Sequence, residues 1–193
     1  MNPSARSPRD IPAGSTQQVH QGDCHVTKDA NVAFSTVLGS CVAACIRDKV
    51  TGVGGMNHFL LGVQSDSSRD RYGESARYGA YAMEELINKV LTQGCGRRDQ
   101  LEIKVFGGGN INQKMDDVGA KNAAFVRGFL AAEGYKAAAE DLGGTYARRV
   151  VFQPVAGKVF VKHLDSSIND SLIKEEISKA NKPAVEHDDI ELF

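Results

Sequence analysis

The sequence lacks a basic excess, a long apolar run and an apolar leader, and each absence argues against one class of protein. It has 23 Lys and Arg against 24 Asp and Glu, which does not fit a general nucleic-acid binder. No stretch approaches the roughly 20 apolar residues that a membrane-spanning helix needs. The opening MNPSARSPRDIPAGSTQQ has no apolar core of a secretory signal. We therefore expect a cytoplasmic protein that neither inserts into membranes nor binds nucleic acid.

Cysteine is also scarce. Four cysteines in 193 residues do not make a disulfide framework, and in the cytoplasm they would stay reduced. A zinc site built from Cys41, Cys45, His58 and the pair Cys24-His25 is one alternative to a catalytic thiol. However, Cys41 and Cys45 would be about 13 Å apart on a strand, too far for one metal ion. We therefore expect no metal and no cofactor, and we interpret Cys45 as a core residue.

Composition divides the chain into three parts. Residues 1–17 are rich in Ser, Pro, Arg and Gly, which is typical of a disordered tail. Residues 18–165 form the expected domain. Residues 166–193 are polar, and within them Ser171–Ala180 can form a short helix.

Apolar periodicity in the domain predicts more strands than helices. Helical spacing predicts helices over Tyr78–Thr92 and Gly119–Glu133, each followed by a glycine. The predicted strands are Val42–Arg47, Val53–Leu61, Leu101–Phe106, Tyr135–Asp141, Arg149–Pro154 and Lys158–His163, of which the last two form a hairpin around Ala156-Gly157. This pattern favours an α+β fold with a mixed, largely antiparallel sheet core and helices packed outside.

The candidate chemistry lies where Cys41 follows the small-residue turn Gly39-Ser40 and enters a predicted strand. Backbone N–H groups at such a turn can point at a developing oxyanion, so Gly39 and Ser40 are candidate substrate contacts. His58 lies on the next predicted strand. A nearby imidazole can take the thiol proton and thereby activate Cys41 as a nucleophile.

Strand register decides whether the thiol and the imidazole meet. A two-residue turn that pairs Asp48 with Thr51 places Cys41 directly opposite His58, on the same face of the sheet. A slip of one residue would place the two side chains on opposite faces. The second ring nitrogen of His58 also needs a partner that orients it, and the hydroxyls of Ser35 and Thr36 are the local candidates.

A glycine run at Gly107-Gly108-Gly109 follows the strand Leu101–Phe106. It lacks the Lys-Ser/Thr ending of a phosphate-binding loop. We interpret it as a turn near the active site in which Asn110 contacts substrate. A purely structural turn is the alternative.

The string TVLGSCVAACIRD, followed by GGMNHFLL, closely resembles the chemoreceptor glutamine deamidases of bacterial chemotaxis, the CheD family. The similarity continues through RYGAYAMEELINKVL, KVFGGGNI, NAAFVRGFLAAEGY and EDLGGTYARRVVFQPVAGKVFV, and so covers about residues 20–163. It implies an α/β/β/α layered sandwich of two sheets between helices. It also implies hydrolysis of particular receptor glutamines to glutamates, with Cys41 as nucleophile and His58 as base.

The third residue of the family site is a Thr six positions before the Cys, where this sequence has Ser35 and places Thr36 one position later. The implied partners are methyl-accepting chemotaxis receptors and, in some species, a CheC-type phosphatase. Two other functions stay open. The same site could hydrolyse receptor methyl esters, or the domain could act as a binding module that docks to receptors or to the phosphatase.

Overall fold

The computed structural model describes residues 14–61, 71–111 and 118–164. Within them lie nine strands, two α-helices and a 3₁₀ turn at Arg98–Gln100. In chain order the strands and helices are β1 Ser15–Gln18, β2 Cys24–Thr27, β3 Val32–Leu38, β4 Val42–Asp48, β5 Gly54–Asn57, α1 Arg71–Gln93, β6 Leu101–Gly107, α2 Val118–Ala132, β7 Ala137–Leu142, β8 Arg148–Gln153 and β9 Lys158–His163.

The strands form two sheets, one of four strands in the order β1-β3-β8-β9 and one of five in the order β2-β5-β4-β6-β7. The pairs β1–β3 and β6–β7 are parallel and the other pairs are antiparallel. The prediction of a mixed, largely antiparallel α+β fold is therefore confirmed.

Two apolar cores separate three layers. Even-numbered β4 residues Val42, Ala44 and Ile46 pack with Leu86 and Val126, so both helices cover the five-stranded sheet. The odd-numbered Cys41, Ala43 and Cys45 pack with Phe34, Val150 and Phe152, which fill the space between the sheets. The layered sandwich is thus confirmed. A helical layer on the far side of the four-stranded sheet is not formed by α1 or α2.

Most predicted elements exist, with shifted bounds. Helix α1 begins at Arg71, earlier than the predicted Tyr78, while α2 differs from its prediction by one residue at each end. The strand predicted over Val53–Leu61 is shorter, because regular pairing ends at Asn57. Strands β1, β2 and β3 were not predicted, and β1 includes the last residues assigned to the tail. The helix predicted over Ser171–Ala180 lies outside the described residues.

The turn between β4 and β5 is longer than predicted, and this changes the register. Asp48 N–H donates to Val53 O at 2.8 Å, so Asp48 pairs with Val53 and not with Thr51. The Asp48 carboxylate accepts N–H bonds from Val50 and Thr51, which favours the longer turn. The predicted pairing of Cys41 with His58 is therefore wrong, and Val42 pairs with Phe59 instead.

Asp48 is fully buried and ties this turn to the end of α1. Its second carboxylate oxygen accepts the N–H of Cys95 at 2.6 Å. Burial raises the pKa of Asp48, but the hydrogen bonds from Cys95, Thr51 and Val50 outweigh it and hold the pKa well below its usual range. The ionised carboxylate therefore stabilises the fold.

None of the helices that the structure describes is both long and apolar enough to cross a membrane.

Candidate active site

Cys41 and His58 lie on the same face of the five-stranded sheet despite the changed register. With Val42 paired to Phe59, Cys41 lies opposite Leu60, and His58 is its diagonal neighbour two residues away (58 against 60). Because side chains alternate along a strand, an offset of two residues preserves the face. Diagonal neighbours have Cβ atoms about 7–8 Å apart, within reach of a long side chain such as imidazole. Both residues face the space between the sheets, where Cys41 and Leu60 belong to one core.

The ladder between β4 and β5 is interrupted beside His58. Ala44 N–H donates to the Asn57 side-chain oxygen at 2.8 Å rather than to a backbone carbonyl. The Asn57 amide in turn donates to Ala82 O on α1 at 2.8 Å. The backbone of His58 pairs instead with the segment before β2, through Gly22 N–H to His58 O at 2.7 Å and His58 N–H to Asp23 O at 3.2 Å. This pairing fixes the position of the His58 imidazole along the strand direction.

The hydrogen-bond partners of His58 determine its tautomer. The Thr36 hydroxyl donates to Val19 O at 2.7 Å and lies 2.9 Å from His58 Nδ1. A hydroxyl has one proton to donate, so Thr36 Oγ1 must accept from His58 Nδ1–H. Nδ1 also lies 3.3 Å from Val19 O, which can only accept. The proton is therefore assigned to Nδ1, and Nε2 is the basic nitrogen.

Thr36, rather than Ser35, reaches His58. Thr36 lies on the face of β3 that turns toward the five-stranded sheet, together with Phe34 and Leu38 of the inter-sheet core. Ser35 is also buried, but alternation places its side chain on the other face of β3. The contact crosses from β3 in one sheet to the residue that directly follows β5 in the other sheet, and β3 and β5 are not hydrogen-bonded neighbours.

Three hydrogen bonds to carbonyl oxygens hold the turn before Cys41 from outside. Gly109 N–H donates to Gly39 O at 2.8 Å, and Gly108 N–H donates to Cys41 O at 2.7 Å. The Asn122 amide donates to Ser40 O at 3.0 Å. Because all three carbonyl oxygens accept these hydrogen bonds, they restrain the backbone conformation of the turn.

The glycine run therefore lies against the nucleophile turn, and its composition has a steric reason. Gly107 has φ +110°, and a Cβ there would lie 2.1 Å from Cys41 O. No other residue fits this approach. Asn110 ends the same loop, and its backbone N–H donates to Gly144 O at 2.7 Å. Whether its side chain contacts substrate stays a prediction, as do the oxyanion roles of Gly39 and Ser40.

A buried arginine supports the neighbouring loop at residues 143–146. The Arg148 side chain, fully buried on β8, donates to Asp141 O and Gly143 O and forms an ion pair with the Asp141 carboxylate at 2.8 Å. Gly143 N–H donates to Gly107 O at 2.9 Å. The arginine thus positions a loop that in turn contacts the glycine run.

Asn122 is a residue that sequence reasoning missed. It is fully buried on α2, where its side-chain oxygen accepts Leu61 N–H at 2.9 Å while its amide donates to Ser40 O. One amide therefore connects the chain just before Cys41 with the chain just after His58. The sequence signal that could have identified Asn122 is that this polar residue stands at helical spacing from Val126 and Leu130, on the buried face of the helix.

Gln21 and Tyr78 were also missed. The Gln21 side-chain oxygen lies 3.9 Å from Cys41 Sγ. On α1, burial raises the pKa of Tyr78, and the negative charges of Cys41 and Glu85 raise it further. Tyr78 itself is half-exposed.

Burial controls the pKa of two other cysteines, Cys45 and Cys24. Burial raises the pKa of Cys45 far above its ordinary value. For Cys24, burial is again the largest effect and raises the pKa to about 11. A thiol with a raised pKa is a poor nucleophile at neutral pH. Among the described residues, no group of three or more His, Cys, Asp or Glu could hold a metal ion.

A thiol and an imidazole on one sheet face, with a hydroxyl on the second ring nitrogen, form an arrangement that thiol-dependent hydrolases use. Comparison with known proteins narrows this class. The chain belongs to the CheD family, whose sequence model, described as CheD chemotactic sensory transduction, matches residues 60–163. That match begins just after His58.

Relatives similar over more of the chain extend the comparison. A protein of Caulobacter vibrioides (strain NA1000 / CB15N) is 55% identical over 73% of this chain and 74% of its own. One of Methylobacillus flagellatus is 49% identical over 88% of this chain and 85% of its own. One of Hydrogenovibrio crunogenus is 42% identical over 93% of this chain and 94% of its own, a span that includes Cys41 and His58. Each is named "Probable chemoreceptor glutamine deamidase CheD".

Proposed function

We propose that this protein is a chemoreceptor glutamine deamidase, which hydrolyses glutamine side chains of methyl-accepting chemotaxis receptors to glutamates and releases ammonia. The observation that carries the proposal is the His58 imidazole, whose Nδ1–H is directed at Thr36 and Val19 while the ring shares a sheet face with Cys41. The names of the relatives supply the substrate. The reduced thiol that this chemistry needs is kept in the cytoplasm, where we place the protein.

The reaction starts when His58 Nε2 takes the thiol proton of Cys41. The sulfur attacks the carboxamide carbon, and the carbonyl oxygen becomes an oxyanion next to the turn Gly39-Ser40. His58 then returns the proton to the leaving nitrogen, so ammonia departs and a thioester remains. A water molecule, deprotonated by His58, cleaves the thioester and releases glutamate with the thiol restored.

Thr36 contributes by stabilising the protonated imidazole. When Nε2 takes the thiol proton, Nδ1–H becomes a donor on a cation, and hydrogen bonds from charged donors are stronger than neutral ones. The buried setting increases this effect, because Thr36 is only 2% exposed and His58 8%.

Conversion of glutamines in a purified receptor fragment tests the proposal. Peptide mapping of a fragment incubated with the wild-type protein should find glutamates in place of particular glutamines, and Cys41→Ala should abolish the conversion. Cys45→Ala is the matched control, because Cys45 is equally buried and faces the same core. Conversion that persists in Cys41→Ala, or that is lost equally in Cys45→Ala, contradicts the assignment.

A methylated fragment separates the deamidase from a methylesterase. Both reactions pass through an acyl-cysteine, so the residues alone do not distinguish them. We expect faster conversion of glutamine than loss of methyl ester, measured side by side by mass spectrometry. The binding-module alternative predicts instead that receptors are bound but not modified. A CheC-type phosphatase as a further partner is also a proposal, which a pull-down with the purified pair tests.

A further inference from the structure

The Gln21 carboxamide lies where the substrate carboxamide would have to arrive. Its oxygen is 3.9 Å from Cys41 Sγ, and the thiol is the donor of this contact. Cys41 is only 3% exposed. A receptor glutamine therefore cannot reach the sulfur unless groups that cover it move aside, and the Gln21 side chain is one of these groups.

The backbone fixes Gln21 in this place. Its neighbour Gly22, at φ +95°, donates its N–H to His58 O at 2.7 Å. The Asp23 carboxylate accepts His20 N–H at 2.8 Å, and Asp23 N–H donates back to His20 O at 2.9 Å. The turn at residues 20–23 is thus closed on itself and bonded to the backbone of His58. Gln21 is carried by the same segment that positions the imidazole.

The contact has the wrong geometry for reaction. A hydrogen bond from the thiol to a carboxamide oxygen follows the oxygen lone pairs, which lie in the amide plane. Nucleophilic attack requires the sulfur above the carbonyl carbon at about 3–3.5 Å. The Gln21 amide therefore has the same chemistry as the substrate but is held in a resting arrangement.

We propose that Gln21 is an internal occupant of the carboxamide subsite, which a receptor glutamine must displace before Cys41 can react. This inference depends on the proposed function, because it identifies the subsite through the substrate group. Gln21 then weakens the apparent affinity for receptor glutamines and restricts conversion to those that compete well for the subsite. A thiol is a weak donor, so the cost of displacement lies at the lower end for a neutral hydrogen bond, about two- to threefold in affinity.

Three variants test the proposal. Gln21→Ala removes the side chain, Gln21→Met keeps its length without the carboxamide, and Gln18→Ala is the matched control on the exposed strand β1. The first measurement is the rate at which iodoacetamide alkylates Cys41 in the absence of receptor, located by peptide mapping. The second is KM for a glutamine-containing receptor fragment. Thermal unfolding confirms that each variant is folded.

We expect both Gln21 variants to be alkylated about two- to threefold faster than the wild type and to have KM lowered by a similar factor, with no change for Gln18→Ala. A raised KM would show that Gln21 helps to bind substrate, which overturns the proposal. If only Gln21→Ala is alkylated faster, Gln21 merely shields the thiol sterically, and this also overturns the proposal. So would finding glutamate at position 21 in the wild type but not in Cys41→Ala.

The alkylation measurement separates this inference from the proposed function. If the wild type fails to modify receptors while Cys41 is still alkylated faster in the Gln21 variants, then Gln21 does occupy the site beside Cys41 and the substrate assignment is wrong. If receptors are modified and alkylation does not respond to Gln21, the deamidase stands and the occupant is refuted.

Discussion

Replacing Thr36 by Val tests how His58 is oriented. Val has nearly the shape of Thr, so the substitution removes the hydroxyl and leaves the inter-sheet core filled. The hydroxyl is the acceptor for His58 Nδ1–H at 2.9 Å and donates to Val19 O at 2.7 Å. After the change, Nδ1–H keeps the longer contact with Val19 O, at 3.3 Å. The imidazolium that forms during catalysis therefore loses its better partner.

The magnitude follows from the kind of bond that is lost. A hydrogen bond to a charged group contributes about 1.5–3 kcal/mol, which corresponds to about tenfold to a hundredfold in kcat/KM. The remaining contact with Val19 O makes the lower part of this range the expectation. The free energy of unfolding should fall by only about 1 kcal/mol, because Val19 O keeps His58 as a donor.

The assay is ammonia release from a receptor fragment, combined with the rate of Cys41 alkylation at neutral pH. Both should fall in Thr36→Val and stay close to the wild type in Thr36→Ser, which keeps the hydroxyl. Ser35→Ala is the matched control, since that hydroxyl lies on the other face of β3. A full rate in Thr36→Val, or an equal loss in Ser35→Ala, would refute the geometry derived for His58.

Three further predictions concern the support of the site. Asn122→Ala should lower the free energy of unfolding by about 1–3 kcal/mol, since two half-buried backbone groups, Leu61 N–H and Ser40 C=O, lose their partner, and chemical denaturation measures this; an unchanged midpoint contradicts the role. Because the folded pKa of Asp48 is lowered below the roughly 3.9 of an unfolded Asp, its stabilisation is complete above that pH and is lost as the pH falls. Asp48→Asn should therefore be less stable at neutral pH and lose less stability on acidification, and parallel denaturation curves at both pH values would disprove it. In the native wild type, iodoacetamide should modify Cys41 faster than Cys45, whose pKa is raised by burial, and the reverse order of peptide labelling would exclude Cys41 as the activated thiol.

The fold was predictable where local patterns decide it. The helices α1 and α2 follow from apolar residues at helical spacing, and β4, β6, β8 and β9 follow from short apolar or alternating runs bounded by polar residues or glycine. The exposed β1 and the half-buried β2 have no such pattern. They are strands because β3 and β5 offer them hydrogen-bonding edges, which is a property of the assembled sheets.

The candidate site, too, could be predicted only in part from the sequence. The sequence by itself determined that Cys41 and His58 belong to two successive segments that pair. The predicted register placed them on one sheet face, and the observed offset of two residues preserves that face because side-chain alternation has a period of two. Only the structure decided the register, through the Asp48 turn. It also decided which hydroxyl contacts His58, because Thr36 and Ser35 lie on opposite faces of β3 and only one of these faces meets the other sheet. Asn122 and Gln21 likewise depend on contacts between elements far apart in the chain, and no local pattern encodes such contacts.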